Sequence, residues 1–431
     1  MFKKTAFINC TVLNGTKDMA PQENMSVLVE GKKITDIKKS IDTSIDDLDG
    51  YEVIDLGGRY LLPGLINLHV HLAGSGAPSS KIPSLEEAQK ITSDPNLKAE
   101  AVKTCADYAK TQLLSGTTTI RTVGDIDNVV STVRNKINAD EIVGPRILAA
   151  DMAISVPGGH MAGILAYEAT SEEECKELVR KVAENKPDLI KLMVTGGVLD
   201  ATVKGEPGIL RMPYEYVKAC CDEAHKLGLK VAAHVESPEG VKVALKGGVD
   251  TIEHSAKPDD EIIKLFKETG ASDTCTISPA IPLAKLDPEL TGSTELTKYN
   301  GNVVLEGIIS SAKAALENGI PVGLGTDSAC PFVTQYDMWR ELAYFKKFVG
   351  VSASFAIHTA TLGNAKIAGI DKETGSIEVG KCADMLIVNE NPLDDLTVLR
   401  NPYMVVGNGN VIKEPKVDKI PVIEEALDGQ L

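Results

Sequence analysis

The sequence predicts an α/β protein: a (β/α)8 TIM barrel carrying a small β-sandwich domain built from both chain termini. Three observations lead there. Short β-like runs fill residues 1–60 and return in 366–431; between them, in 61–365, apolar strands alternate with longer amphipathic stretches; and eight such strands can be counted. Strands alternating with helical runs build a parallel sheet, because each parallel connection must cross over one face. Eight units favour closure into a barrel over an open doubly wound sheet. The length of 431 residues suits one barrel-sized domain plus a smaller one.

Along the chain, Ala6 to Leu13, Met25 to Glu30, Lys33 to Ile37 and Glu52 to Leu56 read as short strands, punctuated by Asn-Gly, Glu-Gly-Lys-Lys and Gly-Gly turns. The barrel strands are expected at Leu65 to Leu72, Thr117 to Val123, Arg146 to Ile154, Leu189 to Val194, Lys230 to His234, Thr251 to Glu253, Ala271 to Ile277 and Pro321 to Gly325. Helical runs lie between them, among them Ser171 to Asn185, Pro213 to Leu227 and Gly301 to Asn318. After Ala368 the β pattern resumes through Gly375 to Val388 and Tyr403 to Ile412. The longest irregular insertion, Ala73 to Asn96, follows the first barrel strand and is expected to cover the mouth of the barrel, the end that carries function.

Composition narrows the partners. With 43% hydrophobic and 25% charged residues the chain is an ordinary globular protein. A formal charge of −16 without any basic tract argues against nucleic acid or an anionic membrane as a partner. No segment reaches the roughly 18 apolar residues of a membrane span. The N-terminal run Met1 to Leu13 reads as a first strand rather than a secretion signal. Eight cysteines without framework spacing suit reduced thiols and a cytoplasmic location. A homo-oligomer is left open, since large barrels often associate.

The chemistry is carried by a few residues at strand ends. His69 and His71 stand at i and i+2 of the first barrel strand, so both imidazoles point to one face and can hold one metal ion. His234 and His254 end strands five and six, and neutral imidazoles suit zinc and its first-row neighbours. Of seven histidines, four thus fall at carboxyl ends of expected strands, a placement that packed core histidines do not require. Asp327, in Gly323-Leu-Gly-Thr-Asp after strand eight, can touch a metal and move a proton; alone it would read as a helix cap.

Lys191 lies in the apolar run Asp188-Leu-Ile-Lys-Leu-Met-Val-Thr-Gly-Gly, where a bare ammonium costs several kcal/mol. It could serve as one half of a structural ion pair, as a Schiff-base amine, or, after reaction with carbon dioxide, as a carbamate bridging two cations about 3.5–4 Å apart. The metal ligands on strands one, five, six and eight favour the carbamate. The cofactor set expected is therefore two divalent ions, zinc foremost, plus carbamylated Lys191. His160, in Val156-Pro-Gly-Gly-His-Met after strand three, could polarise a scissile carbonyl or bind a substrate carboxylate. His225 and His358 fall on helical stretches and read as structural.

With these residues in place the chain resembles the amidohydrolase superfamily. Leu62-Pro-Gly-Leu-Ile-Asn-Leu-His-Val-His is similar to that family's opening motif, and Gly375-Ser-Ile-Glu-Val-Gly-Lys-Cys-Ala-Asp-Met-Leu-Ile-Val to its return into the β domain. Gly116-Thr-Thr-Thr-Ile-Arg-Thr-Val-Gly-Asp, Pro157-Gly-Gly-His, Lys191-Leu-Met-Val-Thr-Gly-Gly and Gly248-Val-Asp-Thr-Ile-Glu-His resemble its prolidase-like members. Such members cut Xaa-Pro or Xaa-Arg/Lys dipeptides and N-acyl amino acids. The resemblance implies that His69, His71 and Asp327 bind one metal and His234 and His254 the other, with Lys191 bridging. It further implies that His160 assists the carbonyl or the substrate; Asp327 is expected to shuttle the proton, and Gly196, Gly197 and Glu236 to contact substrate.

Glu236 departs from the pattern, because dipeptidases of this group often place an aromatic hydroxyl there to meet a carboxylate. Either Glu236 turns away or the substrate presents a cation. The expected activity is hydrolysis of a small amide or peptide bond, with a cyclic amide or imidazolone-like ring as the alternative. A deaminase fits less well, since no glutamate stands three residues after His234 and Lys191 would be superfluous. Rivals from other classes are a silent barrel kept as a binding module, which would have lost ligands, and a metal-free Schiff-base lyase using Lys191.

Overall fold

The computed structural model describes residues 4–43, 48–79 and 83–431. Its eighteen strands are β1 (Lys4–Val12), β2 (Gln22–Glu30), β3 (Lys33–Lys39), β4 (Glu52–Asp55), β5 (Tyr60–Pro63), β6 (Leu65–Val70), β7 (Thr117–Thr122), β8 (Arg146–Leu148), β9 (Ala153–Ser155), β10 (Ala166–Glu168), β11 (Leu189–Met193), β12 (Lys230–Val235), β13 (Thr251–His254), β14 (Ser272–Cys275), β15 (Val322–Leu324), β16 (Met385–Val388), β17 (Met404–Gly407) and β18 (Asn410–Lys413). They fall into three sheets, two of them parallel.

The parallel part carries the α/β pattern. Strands β6-β7-β8 form one sheet and β10-β9-β11-β12-β13-β14-β15 another. In β6, β7, β11 and β13 every residue is buried, as expected of strands covered on both faces. The crossovers are amphipathic helices. In Glu172–Ala183 the Ser171 side chain accepts the Glu174 N–H, three glutamates occupy the first turn, and Arg180 and Lys181 close the last, so cap and dipole agree. Its buried residues Cys175, Val179 and Val182 repeat at the helical period and pack towards the strands.

The two chain ends meet in the third sheet, ordered β18-β17-β16-β5-β1-β2-β3 with β4 beside β1. The β domain expected from the two chain ends is built as one continuous hydrogen-bonded sheet, whose β2–β3 and β17–β18 turns come together where Gly409 meets the Gly31 carbonyl. Its continuity comes from β5, which pairs parallel with β1 at Tyr60 and Leu61 and antiparallel with β16 from Tyr60 to Pro63, joining N-terminal strands to C-terminal ones. Phe7, Val27, Leu61, Met385, Ile387 and Val406 share its apolar core.

Two expectations are corrected. The strand anticipated over Arg146 to Ile154 is two, β8 and β9, because the chain turns at Asp151, whose φ is 55°. The Asp151 carboxylate accepts the Ser131 N–H at 3.0 Å and also the Ser131 hydroxyl, which holds the break. The insertion Ala73 to Asn96 is not irregular throughout. Leu85–Ser93 is a helix with a capping box between Ser84 and Glu87, and a second helix starts at Pro95; residues 80–82 of the insertion lie outside the described ones. Among the described residues, no helix is long and apolar enough to cross a membrane.

Strand β15 approaches β6 so closely that only glycine fits between them. A Cβ on Gly325 would lie 2.4 Å from the His69 Cβ and 2.6 Å from its N. Beyond it the Asp327 N–H donates to the His69 carbonyl at 2.8 Å, the His71 N–H donates to the Ser328 carbonyl at 3.2 Å, and Val70 bridges Ser328. Gly325→Ala should therefore destabilise the protein by about 1–3 kcal/mol, the usual cost of overpacking. Urea titration of the variant against the parent checks this.

Candidate metal centre and active site

The site is assembled at the carboxyl ends of the parallel strands. His69 and His71 leave β6 on the same side, His234 comes from β12, His254 ends β13 and Asp327 follows β15. The His69 ring centroid is 5.4 Å from His71 and 4.7 Å from His254, and His254 is 4.8 Å from His234. The Asp327 Oδ1 is 3.3 Å from His69 Nε2 and 3.2 Å from His71 Nε2. Two sets of donor atoms, His69/His254/Asp327 and His234/Glu236/His254, each converge within 4.8 Å and could hold a metal ion.

The outward-facing nitrogens fit that role. His69 Nδ1–H donates to Glu253 at 2.9 Å and His71 Nδ1–H to the Gly124 carbonyl at 2.5 Å, while His254 Nδ1 bonds the Thr276 hydroxyl at 2.7 Å. All three rings therefore turn Nε2 towards the shared space. His234 is reversed: its Nε2–H donates to the Gly196 carbonyl at 3.1 Å, leaving Nδ1 free. Metal-binding imidazoles are oriented in this way by partners on their second nitrogen.

Electrostatics keeps His234, His254 and Asp327 unprotonated. Burial, reinforced by neighbouring His160 and His254, holds His234 well below the ordinary imidazole range; burial and His69 do the same for His254. Burial opposes the charge on Asp327, but His69 and His71 outweigh it and hold its carboxyl well below the usual range. His71 is the exception, since Asp327 raises it against the effect of burial.

Strain gathers here as well. His254, Ser255, Asp327 and Ala329 have φ of 68°, 72°, 56° and 88°, a region that costs side-chain-bearing residues roughly 1–3 kcal/mol each. In β13 this matters directly. A regular strand would place Glu253 and His254 on opposite faces, whereas the left-handed turn at His254 brings both to the site.

Under the ligands lies a buried ion pair that sequence reasoning missed. Arg121 of β7 donates from Nη2 to Glu253 Oε1 at 2.7 Å, from Nη1 to Thr251 Oγ1 at 3.2 Å and from Nε to the Leu68 carbonyl at 2.7 Å. Both side chains are almost completely buried. Burial works against the Glu253 charge, but Arg121 and His69 prevail and depress its carboxyl far below the ordinary range. Arg121 was readable as a charge in the middle of an expected barrel strand, although threonines rather than apolar residues surround it there.

Lys191 points among these groups from β11, 1% exposed, and no ion-pair partner is found for it among the described residues. Burial lowers its ammonium to about 8, with Glu253 and Asp327 pulling the other way. His160 stacks on His234 with centroids 4.2 Å apart and planes 8° from parallel, and its Nδ1–H donates to Asp200, another partner the sequence did not reveal. Gly197 packs against both rings, and a Cβ there would lie 3.2 Å from His160 Cε1. Glu236 does not turn away. It lines the cavity and accepts the Val198 N–H at 2.9 Å, and burial, helped by Asp327, raises its carboxyl to about 8.

His225 and His358 stay outside the site, on Asp250 and the Gly15 carbonyl respectively. The site opens into a cavity of about 580 Å³ whose outer walls are largely apolar, with Met161, Leu165, Leu199, Leu283, Ile308 and Phe332 among them. Gly74 and Pro83 of the insertion after β6 contribute to its mouth.

Comparison with known proteins agrees with this geometry. Residues 60–412 match the model of the amidohydrolase family. The chain is similar to the crystal structure of a Bifidobacterium longum protein assigned as a prolidase, at 37% identity, covering 99% of this chain and 98% of that one with a TM-score of 0.87. It is also similar to a Xaa-Pro dipeptidase with methionine bound in its active site, at 30% identity, 95% and 100% coverage and a TM-score of 0.82. A curated relative is ochratoxinase of Aspergillus niger, 25% identical over an alignment of 386 residues, with 83% of this chain and 76% of the relative covered. The chain belongs to the amidohydrolase family, and with it to the hydrolases.

Two tests follow from the charges. Arg121→Met leaves Glu253 buried without its cation, and should cost about 3–5 kcal/mol in denaturant titration. Lys191 binds a proton more weakly folded than unfolded, so the unfolded state holds more protons between its folded value of about 8 and the ordinary 10.5. Stability of metal-free protein in bicarbonate-free buffer should accordingly gain a rising contribution as pH climbs through that window. Lys191→Met should remove it.

Proposed function

We propose that this protein is a binuclear metal-dependent hydrolase that cleaves a small amide or peptide bond, with Xaa-Pro or Xaa-Arg/Lys dipeptides and N-acyl amino acids as the substrate class. The observation that carries the reading is the outward tethering of His69, His71 and His254, which turns three Nε2 atoms towards Asp327 inside the cavity. In this reading residues 61–365 form a closed (β/α)8 barrel and residues 1–60 with 366–431 the smaller β domain. Closure is supported by the contacts of β15 with β6 and by the Asp188 N–H donating to the Ala149 carbonyl at 2.8 Å, which ties the β8 side to β11. The eight cysteines, none in a disulfide, suit a cytoplasmic enzyme.

His69, His71 and Asp327 would hold one ion and His234 and His254 the other, with a carbamate on Lys191 between them. Zinc suits this donor set best. Bound divalent ions lower the pKa of a water to about 7 and polarise a carbonyl. The chain's own side chains do the rest. Lys191, neutral in a larger fraction than an exposed lysine, would add through its amine to carbon dioxide: the C–N bond would form as one C=O π bond opens to give a carboxylate, and the proton lost from nitrogen would pass to water or bicarbonate. Asp327 accepts the proton of the attacking water and returns it to the leaving nitrogen, the division of labour of a general base that becomes a general acid. His160 meets the substrate carbonyl as charge develops on its oxygen. Glu236 stands where a substrate amino or guanidinium group would be held, and the apolar walls take a hydrophobic side chain or acyl group.

The test uses protein purified with zinc and bicarbonate. Metal analysis should find about two ions per chain, and chelation should abolish turnover of Xaa-Pro, Xaa-Arg/Lys or N-acyl amino-acid libraries. Lys191→Ala should lower both metal content and activity. Asp327→Asn should reduce kcat by a factor on the order of 10²–10⁴. Silence across all libraries in fully loaded protein would remove the dipeptide and N-acyl substrates, and point to cyclic amides.

A further inference from the structure

Asp200 has no part in the ligand set, yet it holds a residue that does face the substrate. It ends the short 3-10 turn Val198–Asp200, where its Oδ2 accepts the Gly197 N–H at 3.4 Å and the Nδ1–H of His160. The His160 ring is then restrained three ways: by Asp200 at Nδ1, by the parallel face of His234, and by the backbone of Gly197 beneath. With Nδ1 occupied, Nε2 is the only ring nitrogen left for a ligand. Stacking at 4.2 Å on His234 places that ring within a few ångströms of the centre where the scissile carbonyl must lie.

Thr291, Ser293 and Thr297 also line the cavity, but His160 is the one stacked on His234. Apart from the proposed metal ligands, the only nitrogen-bearing side chain among the described lining residues is His160 itself. A histidine used in catalysis must present the correct nitrogen in the correct direction, and a carboxylate on the other nitrogen secures both.

We infer that Asp200 is the positioning residue of His160, fixing the proton on Nδ1 and aiming Nε2 at the substrate carbonyl. The kinetic part rests on the amide-hydrolase reading above; the structural part does not. Asp200 is 40% exposed on the turn, so its replacement leaves the core intact.

The experiment combines a double-mutant cycle with nitrogen-15 NMR of labelled histidine. In metal-loaded enzyme, Asp200→Asn and His160→Gln should each lower kcat by a factor on the order of 10². KM should stay within about threefold, and the double variant should lose no more than His160→Gln alone, because the two residues act as a unit. Multiplying losses, or a change confined to KM, would overturn the inference. In the NMR arm, the resonances absent from His160→Gln identify His160. The parent protein should show the proton on Nδ1, and Asp200→Asn should shift it. A His160 protonated only on Nε2 in the parent sinks the proposal whatever the activity. If the parent hydrolyses no amide, the amide-hydrolase reading falls and the NMR arm alone decides the role of Asp200.

Discussion

The buried Arg121–Glu253 pair is the constraint on which the rest of the site depends. Its members lie on β7 and β13, and Arg121 also ties down the Leu68 carbonyl of β6 and approaches Thr274 of β14 at 3.4 Å. Four strands are thus referenced to one guanidinium. Taking two charges out of water is costly, and the cost is offset only when the remaining hydrogen-bonding positions are filled. Here they are: Glu253 accepts from Arg121, Thr251 and His69. The His69 bond is the one with a functional consequence, because it sets which nitrogen His69 shows to the centre.

The same charges explain why His234 and His254 are ready before any ion binds. Glu253 and Asp327 stay ionised, and Arg121 is paired to Glu253, so further positive charge on His234 or His254 would meet burial and neighbouring cations without a free anion. Both imidazoles are held neutral, the form that binds metal. Metal uptake then requires little proton release from these rings, which favours binding at neutral pH. Order in the outer partners does part of the work usually credited to the ligands themselves.

Much of this was legible in the sequence, for identifiable reasons. The alternation of apolar strands with amphipathic runs announced the parallel sheet, and histidines at strand ends announced the centre, because residues there project to a common rim. Where backbone departs from its regular period, legibility ended. Period-two reasoning places Glu253 behind His254, and only the left-handed backbone at His254 brings both inward. Asp151 interrupts what reads as one strand. Asp200 sits on a three-residue turn with no periodic signal. The joining of N-terminal and C-terminal strands in one sheet depends on the four residues of β5, too short a run to announce that it pairs on both sides.

In the proposed reading, Lys191 turns an apparent liability into reactivity. Carbon dioxide reacts with the free amine and not with ammonium. Burial lowers the Lys191 ammonium to about 8, so more of it is free amine at neutral pH than of an exposed lysine. The carbamate formed there would be an anion in a space where it is as costly as the ammonium unless cations share it. The two requirements would interlock: desolvation would make the lysine reactive, and its product would be stable only once the histidine and aspartate side chains had gathered positive charge around it. A lysine on β11 without those side chains would gain reactivity but no stable product, and those side chains without the lysine would lack the anion between them.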